Sequence, residues 1–243
     1  MKIFVIIPAA GLGTRMSAVS PGNKSKQFFD LHGTPILIHT LRKFAANRRV
    51  GEIVVALRMN ETAGFLEQAR LEGFPKPLRV VEGGEHRQNS VGNALASLEA
   101  SPDDIVLVHD AVRPFVDDAI IDGVIEAVQK YGAAIAGIPA VDTVKQVDRT
   151  SDGAVVLATV PRERMVMAQT PQGFRFALLK EAFDDATADG FLGTDEASLI
   201  ERAGGAVHVV MGSPRNLKIT TPGDLELAEF YWSQASRKAG VIG

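Results

Sequence analysis

The 243-residue chain has no cysteine. That absence excludes a disulfide scaffold, a thiol nucleophile and any zinc centre built on thiolates. Long apolar runs are missing as well. The opening run Ile3-Phe4-Val5-Ile6-Ile7 falls far short of the ~20 residues that a membrane-spanning helix needs. It is also too short for a signal-peptide core, and no cleavage pattern follows it, so a cytoplasmic chain that touches no membrane is expected. Nor is there an excess of either charge: 26 Lys+Arg stand against 29 Asp+Glu, a net charge of −3. A general nucleic-acid surface wants a basic face, so no nucleic-acid partner is expected. Internal repeats and low-complexity linkers are absent. What remains, 46% hydrophobic and 23% charged, is the composition of a globular chain. A chain of this length fits one large α/β domain, residues 1–243, with a substantial core and no need of staples.

Short β-branched runs at 2–7, 52–57, 78–81, 105–109, 133–138 and 207–211 read as strands. Helical patterns lie between and after them, at 35–46, 62–71, 89–99, 117–130, 176–188, 195–203 and 222–233. Continuously apolar strands alternating with helices predict a mostly parallel sheet covered on both faces, a Rossmann-like three-layer α/β sandwich. Ligands in such sheets sit beyond the C-terminal ends of the strands, so chemistry is sought in the loops that follow them. One region breaks the alternation. Residues 142–148 and 154–160 read as two strands joined at Arg149-Thr150-Ser151-Asp152-Gly153, and Asp-Gly is a hairpin signal. A two-stranded hairpin is marginal in water, so this arm, at about 140–162, needs a packing surface.

The first strand runs into Pro8-Ala9-Ala10-Gly11-Leu12-Gly13-Thr14-Arg15-Met16. Small residues let the backbone approach a ligand and aim N–H groups at phosphates. A dinucleotide fingerprint would need a third glycine where Met16 stands and an acid after the second strand, where Leu57-Arg58 stands. A Walker loop would need Gly-Lys-Ser/Thr. The remaining readings are a nucleotide loop with Arg15 acting on phosphates, or a tight turn with a solvated arginine. The polar stretch ending in Lys24-Ser25-Lys26-Gln27 favours the first. It gathers Arg15, Lys24 and Lys26 beside a Gly-rich turn in an acidic chain, an arrangement suited to polyphosphate.

Further motifs follow in order: Gly83-Gly84-Glu85-His86-Arg87-Gln88-Asn89-Ser90, His109-Asp110-Ala111-Val112-Arg113-Pro114, Asp142-Thr143-Val144-Lys145, Gln169-Thr170-Pro171-Gln172, Thr194-Asp195-Glu196-Ala197-Ser198 and Asn216-Leu217-Lys218. With the first loop they resemble, over nearly the whole chain, the 2-C-methyl-D-erythritol 4-phosphate cytidylyltransferases of the sugar-phosphate nucleotidyltransferase superfamily. The resemblance implies attack by a polyol phosphate on the α-phosphorus of CTP, with Mg²⁺ bridging the triphosphate. It implies Arg15 and Lys26 as the catalytic pair and Lys218 as a cation for the attacking phosphate. Pro8, Ala9, Ala10, Gly11 and Gly13 would cradle the nucleotide, and Gly83, Gly84 and Ser90 would read the base. Asp110 and Arg113 match acceptor contacts, with the ribose or the metal as alternatives for Asp110. Thr170 and Thr194 match further acceptor positions, and Thr194 also reads as an N-cap. Thr143, Lys145 and Arg162 sit on or beside the hairpin, which in this family reaches into a second subunit and makes the active dimer.

The five histidines form no nucleophile–base or metal-ligand pattern. A phosphate nucleophile needs none, because its second pKa, about 6, leaves it largely ionised at neutral pH. Rival readings are a ribitol-5-phosphate cytidylyltransferase, a hexose-1-phosphate nucleotidyltransferase, whose chains are usually longer, and an inactive nucleotide-binding homologue. The retention of Arg15, Lys26, Asp110 and Lys218 speaks against the last.

Overall fold

A computed structural model describes residues 1–11 and 25–240, with side chains to residue 234. The strands are β1 (Ile3–Pro8), β2 (Asp30–Leu31), β3 (Thr34–Pro35), β4 (Glu52–Leu57), β5 (Leu78–Glu82), β6 (Ile105–Val108), β7 (Ala133–Pro139), β8 (Val144–Thr150), β9 (Gly153–Val160), β10 (Val166–Arg175) and β11 (His208–Met211). The helices are α1 (Ile36–Ala46), α2 (Met59–Glu72), α3 (Arg87–Ala96), α4 (Asp118–Tyr131), α5 (Phe176–Ala188), α6 (Glu196–Arg202) and α7 (Pro222–Gly240). Among these helices none is long and apolar enough to cross a membrane.

Seven strands form one sheet in the order β11-β7-β10-β6-β1-β4-β5. The pairs β6-β1-β4-β5 and β11-β7 are parallel, while β10 lies antiparallel between β6 and β7. Strand alternation sends successive β1 residues to opposite layers. Ile3, Val5 and Ile7 pack with α1, α2 and α4. Phe4 and Ile6 pack with α3, α5 and α6. Helix α7 closes a third, smaller cluster through Ala228, with Leu31, Ile36, Val112 and Ile219. Burying each large apolar side chain stabilises by about 1.5–3 kcal/mol, so the layers hold the sheet rigid beneath its C-terminal loops.

The mostly parallel, helix-covered sheet and its separate hairpin agree with the sequence expectation. The differences are local. β10 was not anticipated, because Pro171 and Gly173 lie inside it and such residues argue against a central strand. The register shift between Ala168 and Gln172 accommodates the proline. At Gly173 a Cβ would lie 2.7 Å from Val124 and 2.9 Å from Leu107, so the missing side chain lets α4 lie directly on the strand. β6 stops at Val108, which places His109 in the loop. Helix α3 starts at Arg87 instead of residue 89, where the Asn89 side-chain carbonyl accepts the His86 N–H at 3.1 Å. The β2–β3 pair and the 3-10 turns at Lys26–Phe28 and Arg162–Arg164 are too short to carry a periodic signal. Strands β8 and β9 pair only with each other among the described residues, leaving Val155, Val156 and Leu157 exposed.

Candidate active site

The end of β1 and the end of β5 meet to form the floor of a cleft. The Ala9 N–H donates to the Ala56 carbonyl at 2.8 Å, and the Gly83 N–H donates to the Leu57 carbonyl at 2.7 Å. Arg58 Nε donates to the Ala10 carbonyl at 2.8 Å, and the Gln27 side-chain amide donates to the Ala9 carbonyl. The two loops touch so closely that a Cβ on Gly83 would lie 2.3 Å from the Cβ of Ala10. Gly83 therefore sits behind the cleft as a spacer, while Gly84 faces it. The Ser90 hydroxyl accepts the Gly84 N–H at 3.0 Å and lies 3.2 Å from the His86 carbonyl, to which it donates. Ser90 thus shapes the turn from inside it. Pro8, Ala9, Ala10, Gly11, Lys26, Gly84, Ser90, Asp110 and Lys218 all line this first cleft.

Asp110, beyond the end of β6, is 6% exposed and carries the electrostatics of the site. Arg87 Nε lies 3.5 Å from Oδ1, and Arg113 Nε and Lys218 Nζ lie 3.1 and 3.0 Å from Oδ2. Burial alone would raise the Asp110 pKa, but Arg87, Lys218 and Arg113 outweigh it and hold the carboxyl well below the usual range. Arg87 itself bridges to Glu196 at 2.6 Å. Burial works against the Arg87 charge, yet Glu196 and Asp110 push its pKa upward. Burial pushes Glu196 up, against the pull of Arg87. Arg113 is buried and its Nη1 donates to the Asn216 carbonyl at 2.7 Å, so it is no solvated loop charge.

A second cleft opens on the far side of Asp110, lined by Arg113, Thr170 and Thr194 among others. Arg87, Asp110 and Lys218 line both clefts and form the wall between them. Two anions lodged on either side would share one cationic partition, the arrangement needed to bring two phosphates together.

Most of the sequence candidates converge here. Gly13, Arg15 and Lys24 lie outside the described residues. Thr143, Lys145 and Arg162 line neither cleft of the single chain; Arg162 Nη1 donates to the Val141 carbonyl at 2.9 Å at the base of the arm. The N-cap of α6 is Asp195 rather than Thr194: Asp195 Oδ1 accepts the Ser198 N–H at 3.0 Å, which leaves Thr194 to the cleft wall. Sequence reasoning assigned no part to Arg87, Glu196 or His109. Arg87 and Glu196 do lie inside quoted motifs, but their pairing spans 109 positions, beyond any local pattern.

A family model described as 2-C-methyl-D-erythritol 4-phosphate cytidylyltransferase matches residues 3–234. The chain belongs to this family. A cytidylyltransferase of that name from Acidobacterium capsulatum is 59% identical over 239 residues, covering 98% of this chain and 100% of the relative. One from Solibacter usitatus is 54% identical over 243 residues, covering 98% and 99%. The crystal structure of the Francisella tularensis enzyme superposes with a TM-score of 0.79 at 38% identity, covering 95% of this chain and 99% of that one. The 4-diphosphocytidyl-2C-methyl-D-erythritol synthase of Anaerococcus prevotii gives a TM-score of 0.80 at 30% identity, covering 96% and 98%.

The cytidylyltransferase resemblance implies a divalent cation, with Asp110 as one candidate ligand. The geometry fits Asp110 poorly to that part, because three cationic side chains already occupy its two oxygens. No group of three or more His, Asp or Glu side chains converges for a metal among the described residues.

Proposed function

We infer that this chain transfers CMP from CTP to 2-C-methyl-D-erythritol 4-phosphate. A phosphate oxygen of the acceptor attacks the α-phosphorus, a new P–O bond forms, the α–β bridging P–O bond breaks and pyrophosphate leaves. The products are 4-diphosphocytidyl-2-C-methyl-D-erythritol and pyrophosphate. The acceptor phosphate, with a second pKa of about 6, is ionised at neutral pH, so no side chain has to remove a proton. The protein's work is to hold two anions in line and to stabilise charge at phosphorus.

In this reading CTP occupies the first cleft, against Pro8, Ala9, Ala10, Gly11, Gly84 and Ser90, and Gly83 sets the spacing behind them. The acceptor occupies the second cleft, against Arg113, Thr170 and Thr194. Lys26, together with Arg15, stabilises charge at the α-phosphorus, and Lys218 guides the attacking phosphate. Any Mg²⁺ travels with the triphosphate and not on Asp110, and turnover should cease in excess chelator. The enzyme works in the cytoplasm as a homodimer, in which the arm carries Thr143 and Arg162 to the partner's acceptor site. The exposed apolar hairpin, which needs a packing partner, supports the dimer.

The observation that carries the two-substrate assignment is the Asp110 wall common to both clefts. The test is release of pyrophosphate from CTP with methylerythritol phosphate or ribitol 5-phosphate as acceptor. Turnover with the first acceptor and little with the second is expected. The reverse preference, or no turnover with either, would overturn the reading.

A further inference from the structure

His109 is fully buried between the end of β6 and the residues that form the second cleft. Its Nε2 lies 3.1 Å from the Arg113 carbonyl oxygen. A carbonyl has no proton to give, so Nε2 carries the hydrogen and donates. Burial holds the imidazole neutral, with its pKa lowered to about 3, which leaves Nδ1 as the acceptor. Nδ1 lies 3.1 Å from Thr170 Oγ1, so the Thr170 hydroxyl donates to it. The same hydroxyl oxygen accepts the Asp110 N–H at 3.0 Å. The hydrogen bonds therefore run in one direction, from the Asp110 N–H through Thr170 and the imidazole to the Arg113 carbonyl. The Arg113 N–H donates to the Asp110 carbonyl at 3.1 Å and closes the turn.

We propose that His109 is a positioning residue for the acceptor side of the site, tying Asp110, Arg113 and Thr170 into one fixed arrangement through its two ring nitrogens. A histidine that merely filled space would need only its edge contact with Phe44, whose ring centroid is 4.7 Å away. Instead, every group joined by the relay belongs to a residue lining the second cleft. The relay also spends the only hydrogen of the Thr170 hydroxyl, so Thr170 serves the acceptor through its placement and not as a hydroxyl donor. Arg113 passes the constraint on, since its Nε holds Asp110 Oδ2 at 3.1 Å and its Nη1 holds the Asn216 carbonyl at 2.7 Å, two residues before Lys218.

The inference rests on the two-substrate reading, and the experiment separates the two. Wild-type turnover with CTP and methylerythritol phosphate tests the reading. kcat and both KM values, with thermal unfolding, are then measured for His109→Phe, His109→Asn, Thr170→Val and the His109→Phe/Thr170→Val double variant. His109→Phe should raise KM for the acceptor about tenfold or more, the loss expected when buried partners go unsatisfied, and move KM for CTP less than about twofold. His109→Asn, which keeps an acceptor for the Thr170 hydroxyl, should recover part of the loss. The double variant should be no worse than the poorer single one, because both cut the same relay. A folded His109→Phe enzyme with wild-type acceptor KM, or with both KM values raised equally, overturns the proposal. If His109→Phe does not fold, Thr170→Val decides it by the same criterion.

Discussion

Replacing Gly83 with alanine adds one methyl group where the loop after β1 meets the loop after β5. The Gly83 backbone is not among the positive-φ positions, so alanine brings no backbone strain and the effect is purely steric. The added Cβ would lie 2.3 Å from the Cβ of Ala10. Carbon atoms pack at about 3.5–4.0 Å, so the loops must part by more than about 1 Å. Neither yields freely, because Arg58 holds the Ala10 carbonyl at 2.8 Å and Leu57 holds the Gly83 N–H at 2.7 Å. Overpacking of this kind costs about 1–3 kcal/mol of stability. A shift of ~1 Å in a reactive arrangement costs up to ~100-fold in rate. In steady-state assays with CTP varied at saturating acceptor, Gly83→Ala should raise KM for CTP about tenfold or more and leave KM for the acceptor nearly unchanged. Removing the opposing atom should relieve the clash, so Ala10→Gly/Gly83→Ala should regain most of the CTP affinity. Gly64→Ala is the control: nothing lies within 4 Å of its added Cβ in α2, and it should stabilise by up to ~1 kcal/mol. An unchanged KM for CTP in Gly83→Ala, or no gain in the double variant, would refute the argument.

Lys26→Ala should lower kcat about a hundredfold, roughly 3 kcal/mol, with little change in unfolding temperature; a kcat near wild type would remove Lys26 from the chemistry. The arm is tested by mixing inactive Lys26→Ala and Arg162→Ala enzymes and letting subunits exchange. If Arg162 serves the partner's site, half the dimers are mixed and each holds one intact site, so about a quarter of wild-type activity should return; no return after proven exchange excludes a shared site. Acid should destabilise the protein in a way that reports His109. Its pKa is depressed to about 3 in the folded chain against about 6.5 unfolded, so the unfolded state takes up the proton first and stability falls as pH drops through that window. Between pH 7 and pH 5 this amounts to about 2 kcal/mol, and denaturant unfolding of His109→Phe should show that much less loss; parallel curves for the two proteins would contradict the assignment.

The hydrophobic patterning alone dictated the alternation of strands and helices, because each parallel strand must be apolar on both faces and each helix on one. The Gly-rich loop after β1 and the acid after β6 were legible for a related reason. Loops at strand C-terminal ends are where such sheets bind ligands, so chemistry-bearing residues there stand out. Tertiary packing decided the rest. β10 enters the sheet with Pro171 and Gly173 inside it because its neighbours and α4, rather than its own propensity, set its place. Gly83 reads as an ordinary turn glycine until Ala10, 73 positions away in the chain, is found against it. Arg87 meets Glu196 across 109 positions, and His109 meets Thr170 across 61. Local periodicity records which face of an element is buried. It carries no record of which buried polar group will find which partner, since that depends on strand order and on the turns between strands.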